Sequence, residues 1–220
     1  MTGGQPITGD QQSPVLSVRG LSFHYPGQAA LFTQWSTRIP PGISLVRGGE
    51  SRGKTTLLRL LAGALTAQAG DLQINGLTLG TQADAYQRQV FWTDTRSEAL
   101  DQVNVLDYLA SLGARYPGFD PHAVAPLLAG LSLDEHQHKP LYMLSTGSKR
   151  KVWLAGAFAC AAAVTLLDDP FSALDKTSVR FVTDRLAEEA ARHNHKRAWL
   201  IADYAAPVAL PLASVIDLGD

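Results

Sequence analysis

The residues best suited to chemistry are Gly48-Gly49-Glu50-Ser51-Arg52-Gly53-Lys54-Thr55, followed at once by Thr56. Their spacing, G-x-x-x-x-G-K-T, is that of the phosphate-binding P-loop. Glycines let the backbone curl until successive N–H groups converge on one anion, and a following helix adds the positive end of its dipole. In such a loop Lys54 reaches the β- and γ-phosphates, and the Thr55 hydroxyl is placed to ligate Mg²⁺. The expected binding segment therefore comprises Gly48, Glu50, Ser51, Arg52, Gly53, Lys54, Thr55 and Thr56, and its expected ligand is a nucleotide phosphate.

A second set of polar groups ends an apolar run. Ala163-Val164-Thr165-Leu166-Leu167 leads into Asp168-Asp169-Pro170. A carboxylate at the C-terminal edge of a buried strand sits beside a P-loop, where Mg²⁺ needs an oxygen partner, so Asp168 joins Thr55 as an expected metal ligand. Phe171-Ser172-Ala173-Leu174-Asp175 comes directly after, and Leu144-Ser145-Thr146-Gly147-Ser148 lies about twenty residues before, at the start of a helical stretch. The remaining reactive types are weaker. His136-Gln137-His138 and His193-Asn194-His195 have i,i+2 spacing without a Cys or carboxylate pattern, and read as exposed histidines rather than metal ligands. Cys160 reads as a core residue, and Trp92, Trp153 and Trp199 as structural.

Elements must position these groups. Val15–Phe23 alternates apolar and polar residues and reads as a strand, with a second over Ala30–Ile39 after the Tyr25-Pro26-Gly27 turn. Ile43–Val46 is a short buried strand entering the P-loop, and a helix runs from there to about Ala62. Gly70–Gly76 is a strand ending in an Asn-Gly turn, and Gln89–Trp92 another strand. Helical periodicity covers Val105–Tyr116 and resumes over Pro121–Leu131, with Asp120 as N-cap. Ser145 opens a helix; Val164–Leu167 is a strand, Asp175 to about Arg192 a helix, and Ala198–Ala202 and Ser214–Leu218 the last strands. The pattern is one α/β domain over 14–220 with a helical lobe at roughly 94–160, behind a polar lead-in over 1–13 that reads as disordered.

Bulk composition narrows the function. Lys and Arg number 19 against 20 Asp and Glu, so the net charge of −1 provides no field for nucleic acid or an acidic membrane. Charged residues are only 18%, against about 25% typically, which fits a surface partly covered by a partner. A single cysteine excludes an internal disulfide and suits a reducing compartment. The uncharged run Val152–Leu167 behind Lys149-Arg150-Lys151 is too short and too rich in Ala for a membrane span, and reads as a buried helix passing into a buried strand. The three cations ahead of it read as a solvated basic face, with an interface as the alternative.

The ordered set of P-loop, helical insert, Leu144–Ser148, Asp168 and Ser172–Asp175 resembles the ATP-binding cassette (ABC) ATPases across about Val15–Leu218. The resemblance implies a P-loop NTPase core of ABC type, with an N-terminal antiparallel β subdomain and a helical insert. It implies ATP with Mg²⁺, and Tyr25 as the aromatic on which adenine stacks, local packing of that tyrosine being the alternative. It further implies a head-to-tail dimer with a second cassette, in which Ser145 and Gly147 meet the γ-phosphate held by the partner's P-loop. The transmembrane domain of a transporter would be the other partner, with this subunit peripheral on its cytoplasmic side.

Departures from that family's pattern cluster around the γ-phosphate. The usual catalytic glutamate is Asp169, and the switch histidine aligns with Asp203. The glutamine expected after the Gln89–Trp92 strand is replaced by Asp94, Thr95 or Arg96, and the last residue of the signature is Ser148. With Lys54, Asp169 and Asp203 as the catalytic set, firm ATP binding and slow hydrolysis are expected; a non-hydrolytic ATP switch paired with a competent cassette is the alternative.

Overall fold

Alternation of apolar and polar residues produces β1 (Leu16–Phe23), which buries Leu16, Val18, Leu21 and Phe23. The computed structural model describes residues 13–95, 97–192 and 196–219. Arg96, His193, His195 and all but the last residue of the 1–13 lead-in thus lie outside the described residues. β1 pairs antiparallel with β2 (Phe32–Ile39). β3 (Gly42–Arg47) enters the P-loop, which hands over to α1 (Lys54–Leu61). β4 (Ala69–Ile74) pairs antiparallel with β1 and turns through Asn75 and Gly76 into β5 (Leu77–Thr78), completing a sheet of order β2-β1-β4-β5. Both turn residues have positive φ, 49° and 84°, as a tight two-residue hairpin requires.

α2 (Ala83–Gln87) and β6 (Val90–Phe91) lead to the helical part, α3 (Val105–Arg115), α4 (Val124–Gly130) and α5 (Thr146–Ala159). Asp120 caps a 3₁₀ turn over Pro121–Ala123 that runs into α4, its Oδ1 accepting from the His122 N–H at 2.9 Å. β7 (Val164–Asp168), α6 (Lys176–Ala191), β8 (Ala198–Ala202) and β9 (Leu212–Asp217) complete the chain. The second sheet is parallel throughout, in the order β6-β7-β8-β3-β9.

Covering both faces explains why its middle strand, β8, is apolar without interruption and wholly buried. Ile43, Leu45, Trp199 and Ile201 point into a core shared with α3 to α6. Val46, Leu166, Leu200 and Ala202 point the other way, into a core shared with α1 and the antiparallel sheet. In register, Asp168 lies beside Ala202, and Ala202 beside Val46. β7 and β8 therefore end level, one residue short of β3, and the residues that follow all three emerge at one edge of the sheet.

Several strand bounds and two short elements differ from the sequence expectation, the last strand running over Leu212–Asp217 rather than Ser214–Leu218. β2 begins at Phe32, not Ala30, beyond a turn that the Gln28 N–H to Tyr25 carbonyl bond closes. β5 and α2 are additions to the expected elements; two and five residues are too few to show periodicity. Their anchor is Tyr86, fully buried, with its hydroxyl donating to the Leu61 carbonyl at 2.8 Å.

Candidate phosphate-binding site

The P-loop curls through Ser51 and Gly53, with φ of 60° and 88°. Its base is backed from behind: the Gly49 N–H donates to the Gly219 carbonyl at 3.0 Å, and a Cβ on Gly48 would stand 3.1 Å from that same oxygen. Gly53 caps α1 without a side-chain acceptor, so the first-turn N–H groups face the cradle. Lys54 Nζ folds back to the Gly48 and Gly49 carbonyls at 2.7 and 2.8 Å. A cleft of about 360 Å³ opens beside it, between 51–56 and the Tyr25, Gln28 and Leu31 wall. Glu50, Ser51 and Arg52 are exposed at its rim. Tyr25 is fixed there by an edge-on contact with Phe23 and by a 3.2 Å hydrogen bond between its hydroxyl and Thr56 Oγ1.

The level strand ends bring in the carboxylates. Thr55 Oγ1 donates to Asp168 Oδ2 at 2.7 Å, joining α1 to β7. Asp169 follows with φ of 49°, held there by its N–H donating to the Ala202 carbonyl at 2.8 Å. Asp203 follows β8, its N–H donating to the Val46 carbonyl at 3.1 Å. Burial pushes the half-buried Asp203 carboxyl above the usual carboxylate range, and the charge of Asp169 adds to this; the Tyr204 and Ala205 N–H groups and the Lys54 ammonium oppose it. Asp203, next to the strand end that carries Asp169, thus feels both that carboxylate and the Lys54 ammonium.

A separate group forms at the start of α5. Ser145 caps the helix, its Oγ accepting from the Ser148 N–H at 3.1 Å and donating to Ser148 Oγ at 3.0 Å. Gly147 lies against the loop after β7; a Cβ there would come 2.3 Å from the Ala173 carbonyl oxygen. Of the residues at the place of the expected glutamine, Thr95 borders a small cavity that Asp168 also lines, whereas Asp94 borders a different one beneath Trp92 and Tyr108.

The solvated basic face expected over Lys149-Arg150-Lys151 is corrected. Lys149 pairs with Asp101 at 2.6 Å, Arg150 donates to the Ser172 carbonyl, and Lys151, its side chain only 11% exposed, pairs with Asp175 at 2.6 Å. The partners lie 48, 22 and 24 residues away in sequence, beyond the reach of local pattern. One local signal existed: an unbroken apolar run begins at Val152, leaving Lys151 a helix with little solvent-facing surface. Elsewhere, the Cys160 thiol is pushed up to about 12 by burial, against the nearby Arg197 and Arg115 charges, which fits a core residue. His136 Nδ1 lies 3.0 Å from Lys139 Nζ, and among the described residues no three His, Cys, Asp or Glu side chains group to hold a metal. No described helix is long and apolar enough to cross a membrane.

Comparison with known proteins gives this arrangement its kin. The ABC transporter family model matches residues 33–172. The cytochrome c biogenesis ATP-binding export protein CcmA of Pseudomonas aeruginosa is 32% identical over 195 residues, covering 88% of this chain and 94% of its own. CcmA 1 of Cupriavidus metallidurans is also 32% identical, with 88% and 92% covered. Among solved structures, the ATP-binding subunit of an ABC transporter matches with a TM-score of 0.76 at 22% identity, over 86% of this chain and 79% of its own. A nucleotide-free ATP-binding cassette matches at 0.68 and 18%, over 86% and 81%. These two likenesses speak for the fold, an α/β P-loop core with an antiparallel sheet and a helical lobe. With the family model and the sequence relatives agreeing, the chain belongs to the ABC transporter family, as an ATP-binding subunit and ATPase of that type.

Proposed function

We propose that this subunit binds Mg·ATP between two cassettes and hydrolyses it slowly, driving a separately encoded membrane domain of an export-type transporter from its cytoplasmic side. The export direction is inferred from the relatives' description as ATP-binding export proteins of cytochrome c biogenesis. Binding rests on the P-loop amides, on Lys54 and on Tyr25 as the wall for adenine. Thr55 and Asp168, oxygen to oxygen at 2.7 Å, are hard donors of the kind that hold Mg²⁺ against nucleotide phosphates. When bound, Mg²⁺ neutralises charge on the β- and γ-phosphate oxygens. Ser145 and the first N–H groups of α5 would meet the γ-phosphate carried by the other cassette.

Slow hydrolysis is carried by one observation, the crowding of two carboxylates, Asp169 and Asp203, at adjacent strand ends where their backbone N–H groups are held by the Ala202 and Val46 carbonyls. Asp169 is one methylene shorter than the family's glutamate, and a displacement of about 1 Å costs on the order of a hundredfold in rate. An ionised Asp203 has no proton to donate to a γ-phosphate and repels it. Multiple-turnover phosphate release by the purified subunit tests this. The expected rate is well below the roughly 10 s⁻¹ of a median enzyme, and Asp169→Glu should raise it about tenfold or more by restoring reach. Release at the rate of an ordinary ATPase, abolished by Asp169→Ala, would sink the reading. The same crowding favours a second reading, a non-hydrolytic switch paired with a competent cassette. An Asp169→Ala subunit, which keeps the P-loop, that leaves such a partner's turnover untouched would favour the switch.

A further inference from the structure

The cations after the signature stretch are engaged inside the molecule, and the contacts on one side of α5 reach a single loop. Gly147, at the first turn of α5, lies under the Ala173 carbonyl with no room for a Cβ. Arg150 donates to the Ser172 carbonyl one turn later. Lys151 Nζ binds Asp175 Oδ2 at 2.6 Å, and the same carboxylate caps α6, accepting from the Ser178 N–H at 2.8 Å and the Ser178 hydroxyl at 2.9 Å. That loop starts at Asp169, to whose carbonyl the Ser172 N–H reaches back at 3.4 Å. Ala173 within it holds φ of 58°, a conformation an alanine keeps only when its surroundings impose it.

We infer that Lys151, acting through Asp175, is a positioning residue that ties the N-terminus of α5 to the loop carrying Asp169, so that both move as one body. The inference rests on the two-cassette reading above. In that reading Ser145 and Gly147 serve one nucleotide and Asp169 the other, and a rigid tie makes engagement of one felt at the other. The chemistry singles out Lys151 among the three. A buried ammonium is costly unless paired, so the Lys151 side chain is held to its partner Asp175, the exposed carboxylate that caps α6. The pairing also holds the Asp175 carboxyl well below the usual carboxylate range, the Lys151 ammonium first and the Ser178 N–H second.

ATP-dependent dimerisation of the full chain, followed by sedimentation, tests the tie with Lys151→Met, Lys151→Arg and Asp175→Asn. Asparagine keeps an oxygen for the Ser178 N–H, and so the helix cap, while its amide NH2 replaces the oxygen that Lys151 binds, so Asp175→Asn decides the matter if Lys151→Met does not fold. The expectation is about a tenfold weaker dimer in Lys151→Met and Asp175→Asn, the scale of coupling within one polar network. Lys151→Arg should restore it to within about twofold, and affinity of the isolated subunit for ATP should stay unchanged in all three. A dimer of parental strength in the charge-removing variants, failure of Lys151→Arg to restore, or a parallel fall in single-subunit ATP affinity would each overturn the inference. Ser145→Ala separates the two levels. If it weakens the dimer while Lys151→Met does not, only the tie fails; a parent chain that never dimerises with ATP removes the two-cassette reading and the tie together.

Discussion

Asp203 shows how one residue can carry a cost that its neighbours impose. Its N–H is held by the Val46 carbonyl at the end of β8, and its carboxyl accepts from the Tyr204 N–H, which keeps it beside the strand end that carries Asp169. Its folded pKa lies above the unfolded value of about 3.9. The folded chain then holds this proton more tightly than the unfolded chain does. The penalty is therefore absent below about pH 4 and fully present once pH has risen through the folded pKa. Asp203→Asn should raise Tm at pH 7 by about 1 °C, a small gain because solvent screens a half-exposed group. Melts at a series of pH values check it: the gain should shrink to nothing as pH falls to about 4. A gain equal at both ends would assign it to something other than charge.

At the scale of elements, the antiparallel sheet depends on a close approach at Gly70. This glycine has φ of 121°, and a Cβ on it would stand 2.7 Å from the Leu21 Cα, where the β1–β4 register shifts. Gly70→Ala should destabilise the chain by about 2–4 kcal/mol, combining a strained φ with a backbone clash. Denaturant unfolding measures the loss. Such positions explain what is legible in the sequence and what is not. The P-loop is a contiguous motif whose chemistry is local, β1, α3 and α6 show their periodicity over enough residues to be read, and β3 and β7 are legible as short buried runs. Asp203 is reachable only by aligning the late strand with a known family, because its nearness to Lys54 is created by β8 lying between β7 and β3. The Lys149 and Lys151 pairs escape a sequence reading for a related reason: an ion pair across 48 or 24 residues leaves no local trace. β5 and α2 fall below the length at which a period exists.

Across the whole molecule, the two edges of the parallel sheet have different duties. The C-terminal edge of β3, β7 and β8 carries Lys54, Asp168, Asp169 and Asp203, as ligand sites do in open α/β sheets. The opposite edge holds a buried polar knot. Arg197 donates to Glu189 at 2.8 Å and to the Ala162 carbonyl at 2.9 Å while lying over the Trp199 ring at 4.9 Å, and Glu189 is 4% exposed. Glu189→Ala strands the Arg197 charge and should cost about 3–5 kcal/mol. ATP affinity of the molecules that remain folded should stay within about twofold, since the knot lies a strand's length from the phosphate loop. Denaturation midpoints and nucleotide titration on the same preparation check both halves of that expectation.

The Gly219 carbonyl behind the phosphate loop has a practical side. Gly219 sits within one hydrogen bond's length of Gly49. A bulky tag or fusion there presses on the wall of the cradle, and its effect on nucleotide affinity would be mistaken for a property of the subunit. A small environment-sensitive dye at the same place would have the opposite value, reporting the arrival of phosphate without occupying the cleft.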